Sequence, residues 1–140
     1  MQFTKVGNTF CIRIMKGEEL VETLTEFLQA NNLKSGYISG IGATDDVTLG
    51  YFDAKTGEYN KKDFQESFEI LNLTGNVSSV GGKSFVHMHV TLGKEDFSCI
   101  GGHLFRANIS VTCEIYLKVL GVVFSREHDS ETGLKLLALK

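Results

Sequence analysis

Ile109-Ser110-Val111-Thr112-Cys113-Glu114-Ile115-Tyr116-Leu117-Lys118-Val119 alternates apolar and polar side chains from end to end. Successive side chains of a β-strand face opposite sides, so Ile109, Val111, Cys113, Ile115, Leu117 and Val119 share one face, and the polar partners share the other. A helix would scatter the same residues around its axis. The segment reads as a strand with one face on a core, the pattern of an antiparallel sheet.

Upstream, Phe85–Leu92 and Phe97–Arg106 read as two further strands joined by a hairpin. Turning on Lys94-Glu95-Asp96, that hairpin pairs Leu92 with Ser98, His89 with Gly101, and His87 with His103. His87 and His89 are two apart and therefore share a face. Directly opposed side chains have Cβ atoms about 4.5–5.5 Å apart. Three imidazoles can then converge on one point, as nitrogen ligands do around zinc at about 2.0–2.1 Å. With no fourth protein ligand, one coordination position is left for water or a small ligand, and such a site permits metal-assisted hydrolysis. Glu114 and Glu69 are candidate general bases, because an acid is unusual within a strand. Packed, hydrogen-bonded imidazoles on a half-buried sheet are the other reading of the same histidines. Gly101 and Gly102 leave room for a ligand or mark a bulge.

Further out, Thr9–Met15 alternates and reads as a strand closed by Lys16-Gly17. From about residue 18 to 31 the period lengthens, and Leu20, Val21, Leu24, Phe27 and Leu28 form one helical stripe. Glu18 and Glu19 suit the helix N-terminus and Asn31-Asn32 its end. Ser35–Ile41, Val47–Phe52, Ser67–Leu73 and Asn76–Val80 read as strands, and Leu134–Leu139 as a last strand closing the sheet. One helix among many alternating strands predicts an α+β fold, a mostly antiparallel sheet flanked by a single main helix. The 140 residues suit one domain spanning residues 1–140, without repeats or a composition break.

Charge narrows the function. A formal net charge of −3 and a pI near 5.8 oppose direct binding to nucleic acid, which needs clustered Lys and Arg. Lys61-Lys62, with Lys55 nearby, is interleaved with Glu58, Asp63 and Glu66 and reads as a solvated loop. Cys11, Cys99 and Cys113 form no CxxC pair, so reduced thiols and a cytoplasmic location are expected. No signal peptide is read at the N-terminus, and no apolar run approaches the roughly 20 residues of a membrane helix. Ser39-Gly40-Ile41-Gly42-Ala43 lacks the third glycine of a dinucleotide-binding turn and is followed by strand, so its glycines are expected at a tight bend. Cys113 belongs to the apolar face and carries no nucleophile signal.

Several motifs, in order, resemble a known family. They are Arg13 with Gly17-Glu18, Gly40-Ile41-Gly42-Ala43, Phe68-Glu69-Ile70-Leu71-Asn72-Leu73-Thr74-Gly75-Asn76, His87-Met88-His89 and Gly101-Gly102-His103-Leu104. The chain resembles the plants-and-prokaryotes-conserved domain, also called domain of unknown function 296, in its stand-alone prokaryotic form. The resemblance implies an antiparallel sheet flanked by helix and assembly as a homotrimer. In some members three histidines bind zinc, which places Zn2+, or another divalent metal, on His87, His89 and His103. Arg13 joins Glu114 and Glu69 as a catalytic candidate. Plant members carry an AT-hook before the domain, and many prokaryotic members are described as DNA-binding by analogy. Here there is no Arg-Gly-Arg-Pro hook and no proline, and Glu66-Ser67-Phe68-Glu69 lacks the basic residue common before Phe in plants. The expectation is a metal-binding homotrimer that takes a small ligand; a DNA-associated regulator acting through trimerisation or a partner is the alternative.

Overall fold

The computed structural model describes residues 1–139. In chain order the elements are β1 (Gln2–Val6), β2 (Thr9–Met15), α1 (Leu20–Ala30), β3 (Gly36–Asp53), β4 (Glu58–Phe64), β5 (Phe68–Val80), β6 (Lys83–Gly93), β7 (Cys99–Val119), β8 (Arg126–His128) and β9 (Lys135–Leu137). The predicted α+β class holds: one helix lies against a mostly antiparallel sheet. No helix among the described residues is long and apolar enough to cross a membrane.

The main sheet runs β1-β2-β7-β6-β5-β3-β4, and β3 also pairs with β7. That extra pairing joins β3, β5, β6 and β7 into a closed circuit, which removes sheet edges around the core. The first half of β3 lies between β7 and β5, and its second half between β7 and β4. Ile12 and Ile14 of β2, Ile38 of β3, Leu73 of β5, Met88 and Leu92 of β6, and Ile115 and Leu117 of β7 fill the interior.

Helix α1 closes this core with Leu20, Leu24, Phe27 and Leu28, all buried as the stripe predicts. Each such side chain stabilises the fold by about 1.5–3 kcal/mol on burial. The helix starts because Glu19 caps it: one carboxylate oxygen accepts from the Val21 N–H and the other from the Glu22 N–H. Glu18, expected beside it at the helix start, instead accepts from the Met15 N–H and pairs with the N-terminal ammonium. Asn31 ends the helix by donating to the Phe27 carbonyl, and Asn32 follows at φ 52°.

Several boundaries differ from the sequence reading. The segments Ser35–Ile41 and Val47–Phe52 are one strand, as are Ser67–Leu73 and Asn76–Val80. Phe97–Arg106 and Ile109–Val119 also merge into β7. Residues 58–64, expected as a solvated loop, form β4 in full register with β3, because an edge strand needs only one apolar contact face. The N-terminal Gln2–Val6 is an edge strand as well. Leu134–Leu139 does not close the main sheet; Lys135–Leu137 pairs with Arg126–His128 in a separate hairpin.

The glycines of Ser39–Ala43 do not make a turn. A Cβ at Gly42 would stand 2.3 Å from the Thr112 carbonyl oxygen and 2.7 Å from the Cys113 Cα, so glycine permits β3 to cross close over β7. The register shifts there, between the Gly42–Cys113 and Thr44–Ile109 pairs. The extra β7 residues at that irregularity turn Val111 outward, and this one member of the expected apolar face is 67% exposed.

Candidate metal centre

His87 and His89 stand on β6 and alternate with the buried Met88 and Val90, so they occupy the sheet face turned away from the core. His103 of β7 reaches the same face. The pairing is His89 with His103, Thr91 with Gly101 and Gly93 with Cys99. The expected pairs, His87 with His103 and His89 with Gly101, are therefore displaced by two residues. The cause lies in the turn. The Asp96 carboxylate accepts from both the Ser98 N–H and its hydroxyl, at 2.9 and 2.6 Å, which centres the loop on Asp96 instead of Glu95. A slip of two preserves every side chain's face, whereas a slip of one would have dispersed the cluster. His87 pairs across the other edge of β6, with Asn76 of β5.

The three rings meet. Their centroids lie 5.1 Å apart for His87 and His89, 5.0 Å for His87 and His103, and 5.4 Å for His89 and His103. One ring nitrogen from each lies within 4.8 Å of the other two, and the Nε2 atoms of His87 and His89 are 3.3 Å apart. Gly101 and Gly102 serve close backbone approach: a Cβ would stand 2.7 Å from the Val90 carbonyl oxygen at Gly101 and 2.8 Å from that of Gly50 at Gly102.

The surroundings come from elements that sequence reasoning left out of the site. Tyr59 of β4 and Phe105 of β7 pack on the His103 ring with centroids 5.0 and 4.6 Å away. Lys61 lies over the Phe105 ring, its Nζ 3.9 Å from the centroid. Arg126 of β8 approaches Nδ1 of His87 at 3.2 Å. Tyr59 was hidden by the loop reading of β4, and no periodicity marks Arg126.

Burial, followed by the charges of His87, His89, Lys61 and Arg126, pushes the His103 pKa down to about 4. Burial and then Arg126 lower that of His87. Both rings are thus neutral near pH 7 and present lone pairs, as metal ligation requires. Nδ1 of His103 is buried with no hydrogen-bond partner. A buried nitrogen without a partner, among imidazoles that converge, fits a ligand set for a nitrogen-seeking divalent ion. His89 is exposed, so the cluster is open to solvent on its side.

The catalytic candidates lie elsewhere. Glu114 pairs with Arg13 across β2 and β7. Both line a hollow of about 300 Å³ with Phe3 and Tyr116. Glu114 and Glu69 also border a second hollow, of about 480 Å³. Along β7, Glu114 is separated from His103 by about 36 Å of strand at about 3.3 Å per residue. Glu69 lies opposite Gly93, whereas His89 lies opposite Thr74. The structure gathers Arg13, Glu114 and Glu69 into one region and keeps them from the histidines.

A family model described as the Plants and Prokaryotes Conserved (PCC) domain matches residues 1–121. No curated protein matches the chain. Among solved structures, a metal-containing protein from Archaeoglobus fulgidus is 39% identical with a TM-score of 0.88, the match covering 99% of each chain. A candidate DNA-binding protein from Bacteroides thetaiotaomicron is 35% identical with a TM-score of 0.95, covering 98% of this chain and 96% of that one. A plant- and prokaryote-conserved protein from Pyrococcus horikoshii is 31% identical with a TM-score of 0.86, covering 99% and 96%.

Proposed function

The chain belongs to the Plants and Prokaryotes Conserved domain family, and from that premise we propose that it is a cytoplasmic metal-binding protein whose His87, His89 and His103 hold a zinc-type ion with one position open to a small ligand. The convergence of three ring nitrogens within 4.8 Å of one another carries this reading. The metal-containing description of the Archaeoglobus relative agrees with it. A divalent ion so held acts as a Lewis acid toward whatever occupies its remaining position. The chain's own contribution is to keep the His87 and His103 imidazoles neutral by partial burial and to wall His103 with Tyr59 and Phe105. The permanent charges that act on His103 are the cations Lys61 and Arg126, and the acidic candidates Glu114 and Glu69 border a different hollow. That environment favours binding of a ligand, anionic above all, over hydrolysis with a protein general base.

Metal analysis by mass spectrometry of protein purified without an affinity tag tests the reading. Near-stoichiometric metal in the wild type and its loss in His87→Ala are expected. Equal, negligible metal in both would overturn it.

The same reading includes a homotrimer. Ile41, Leu71, Phe97 and Val111 are 59%, 51%, 93% and 67% exposed. Leu71, Phe97 and Val111 border a hollow of about 640 Å³, adjoining the one beside Glu69. So much apolar surface in one region supports an interface between copies of the chain. Sedimentation equilibrium should give three times the 15.5 kDa chain mass; a monomer would exclude the trimer.

DNA association, through the trimer or a partner, is the second reading, favoured by the description of the Bacteroides relative. The cations oppose a direct version: Arg106 pairs with Asp46, Lys94 with Glu66, and Lys61 and Lys62 lie over aromatic rings. Duplex binding with a steep salt dependence would support direct contact, and no binding at low salt would exclude it.

A further inference from the structure

Arg126 is the first residue of β8, beyond the segment that the family model matches. Its guanidinium crosses onto the metal-centre face and is almost fully engaged. Nε–H donates to the Ser78 hydroxyl at 2.8 Å, and NH1 to the Lys135 carbonyl at 2.8 Å. NH2 donates to Oδ1 of Asn76 at 2.8 Å and faces Nδ1 of His87 at 3.2 Å. The Phe85 ring lies beneath it, 5.1 Å away.

A guanidinium has donors only and does not give up its proton in a protein. At the contact with His87, Nδ1 is therefore the acceptor. A neutral imidazole carries one ring hydrogen, so that hydrogen sits on Nε2. Nε2 is the atom that His87 turns toward His89, at 3.3 Å. A metal in the cluster needs the Nε2 lone pair, and metal-bound histidines donate their other N–H to a carbonyl, carboxylate or water. Arg126 offers His87 the opposite: a cationic donor where an acceptor belongs.

From this geometry we infer that Arg126 is a positioning residue that holds His87 in the tautomer that refuses metal, and that loading the cluster requires Arg126 to withdraw. Nε2 then gives its proton to water and Nδ1 takes one from water, so the ring stays neutral and its Nδ1–H donates a hydrogen bond to water. Because Arg126 also ties β8 to Ser78 and Asn76 of β5, withdrawal loosens the C-terminal hairpin from β5. Metal uptake and hairpin docking oppose each other. The inference rests on the metal-binding reading of the three histidines.

Three measurements test it, the first without metal. Ring-nitrogen NMR of metal-free wild type should show His87 protonated at Nε2, and Arg126→Met should release that preference; protonation at Nδ1 in the wild type overturns the proposal. Zinc competition against a chromophoric chelator should show Arg126→Met, which keeps the stem over Phe85, binding about 10- to 100-fold tighter than wild type, with Arg126→Lys closer to wild type. Affinity in Arg126→Met no higher than in wild type overturns the gate and leaves the metal site standing. Zinc bound by neither protein overturns both. Should Arg126→Met fail to fold, hydrogen exchange on the wild type decides: zinc should speed exchange in residues 126–137, and unchanged or slower exchange overturns the coupling.

Discussion

His89 and His103 are directly paired across β6 and β7, while His87 looks to β5 for its partner. The cluster therefore rests on two strand pairings at once. Removing one ring leaves two imidazoles, one short of the three protein ligands of an open zinc site. His89→Ala, at an exposed position, should lower zinc affinity by more than about a hundredfold while changing the metal-free melting temperature little, since exposed sites lie within about 0.5 kcal/mol. In the wild type, zinc at about 100 times its Kd should add about 2.7 kcal/mol of stability by mass action. Thermal shifts of the two proteins with and without zinc check both statements.

The metal-free protein should lose stability in mild acid. An unfolded histidine titrates near 6.5, and burial holds His103 at about 4. Between these values the unfolded chain binds a proton that the folded ring refuses, so the stability present above pH 6.5 is lost as pH falls toward 4. His87, shifted in the same direction, adds to the loss. For a half-exposed ring, solvent screening reduces the effect of His103 to on the order of 1–2 kcal/mol. Melting curves in chelator at pH 7 and pH 4.5 should show this fall, and His103→Gln should flatten it. An unchanged melting temperature across that window would contradict the burial argument.

The sequence made the histidine face legible because strand period is local: His87 and His89 share a side whatever the rest of the chain does. It did not make the register legible, since the turn centre depends on the Asp96 carboxylate reaching Ser98. The helix could be read from Leu20, Leu24, Phe27 and Leu28, whose spacing is its own signature. β4 escaped because its charged residues face water on an edge strand, where composition matches that of a loop. Tyr59 was hidden along with β4, and distance along the chain hid the roles of both Tyr59 and Arg126. Their roles depend on contacts between segments far apart in the chain, and no local pattern encodes those. The merging of Phe97–Arg106 with Ile109–Val119 through Ala107 and Asn108 was equally invisible, because irregular pairing with β3 carries the strand across.

Glu19 joins the helix to the sheet. Besides capping α1, its Oε1 accepts from the Ala107 N–H of β7 at 2.8 Å, and Ala107 is 1% exposed. Glu19→Ala should therefore cost more than an ordinary cap, about 1 kcal/mol for the helix end and about 1–3 kcal/mol for the stranded N–H. Glu19→Gln keeps an acceptor oxygen and should recover part of the loss. Denaturant titration of the three proteins checks the order; a Glu19→Ala variant within 0.5 kcal/mol of wild type, about the scatter of surface substitutions, would show that the Ala107 bond contributes nothing.

Phe97 stands in the loop between β6 and β7 at φ 63°, where an aromatic residue is strained, and is 93% exposed. Neither feature helps the isolated chain: the backbone costs about 1–3 kcal/mol, and the ring gains no burial. Seating the ring in the hollow of about 480 Å³ lined by Ile41, Leu71 and Val111 of another copy, which Phe97 itself does not line, would recover about 1.5–3 kcal/mol per subunit. A contact of one patch with a different patch on the neighbour closes a ring when the rotation fits, so one such residue can hold a trimer. Phe97→Asp should dissociate the proposed trimer at micromolar concentration and leave each chain folded, because the side chain is 93% exposed in the single chain. Phe97→Gly should do the same to the assembly while relieving the strained φ, so its monomer should melt higher than that of Phe97→Asp. Light scattering coupled to size exclusion, with circular dichroism on the same fractions, reads both effects. A Phe97→Asp protein that keeps the wild-type mass would move the interface away from this loop.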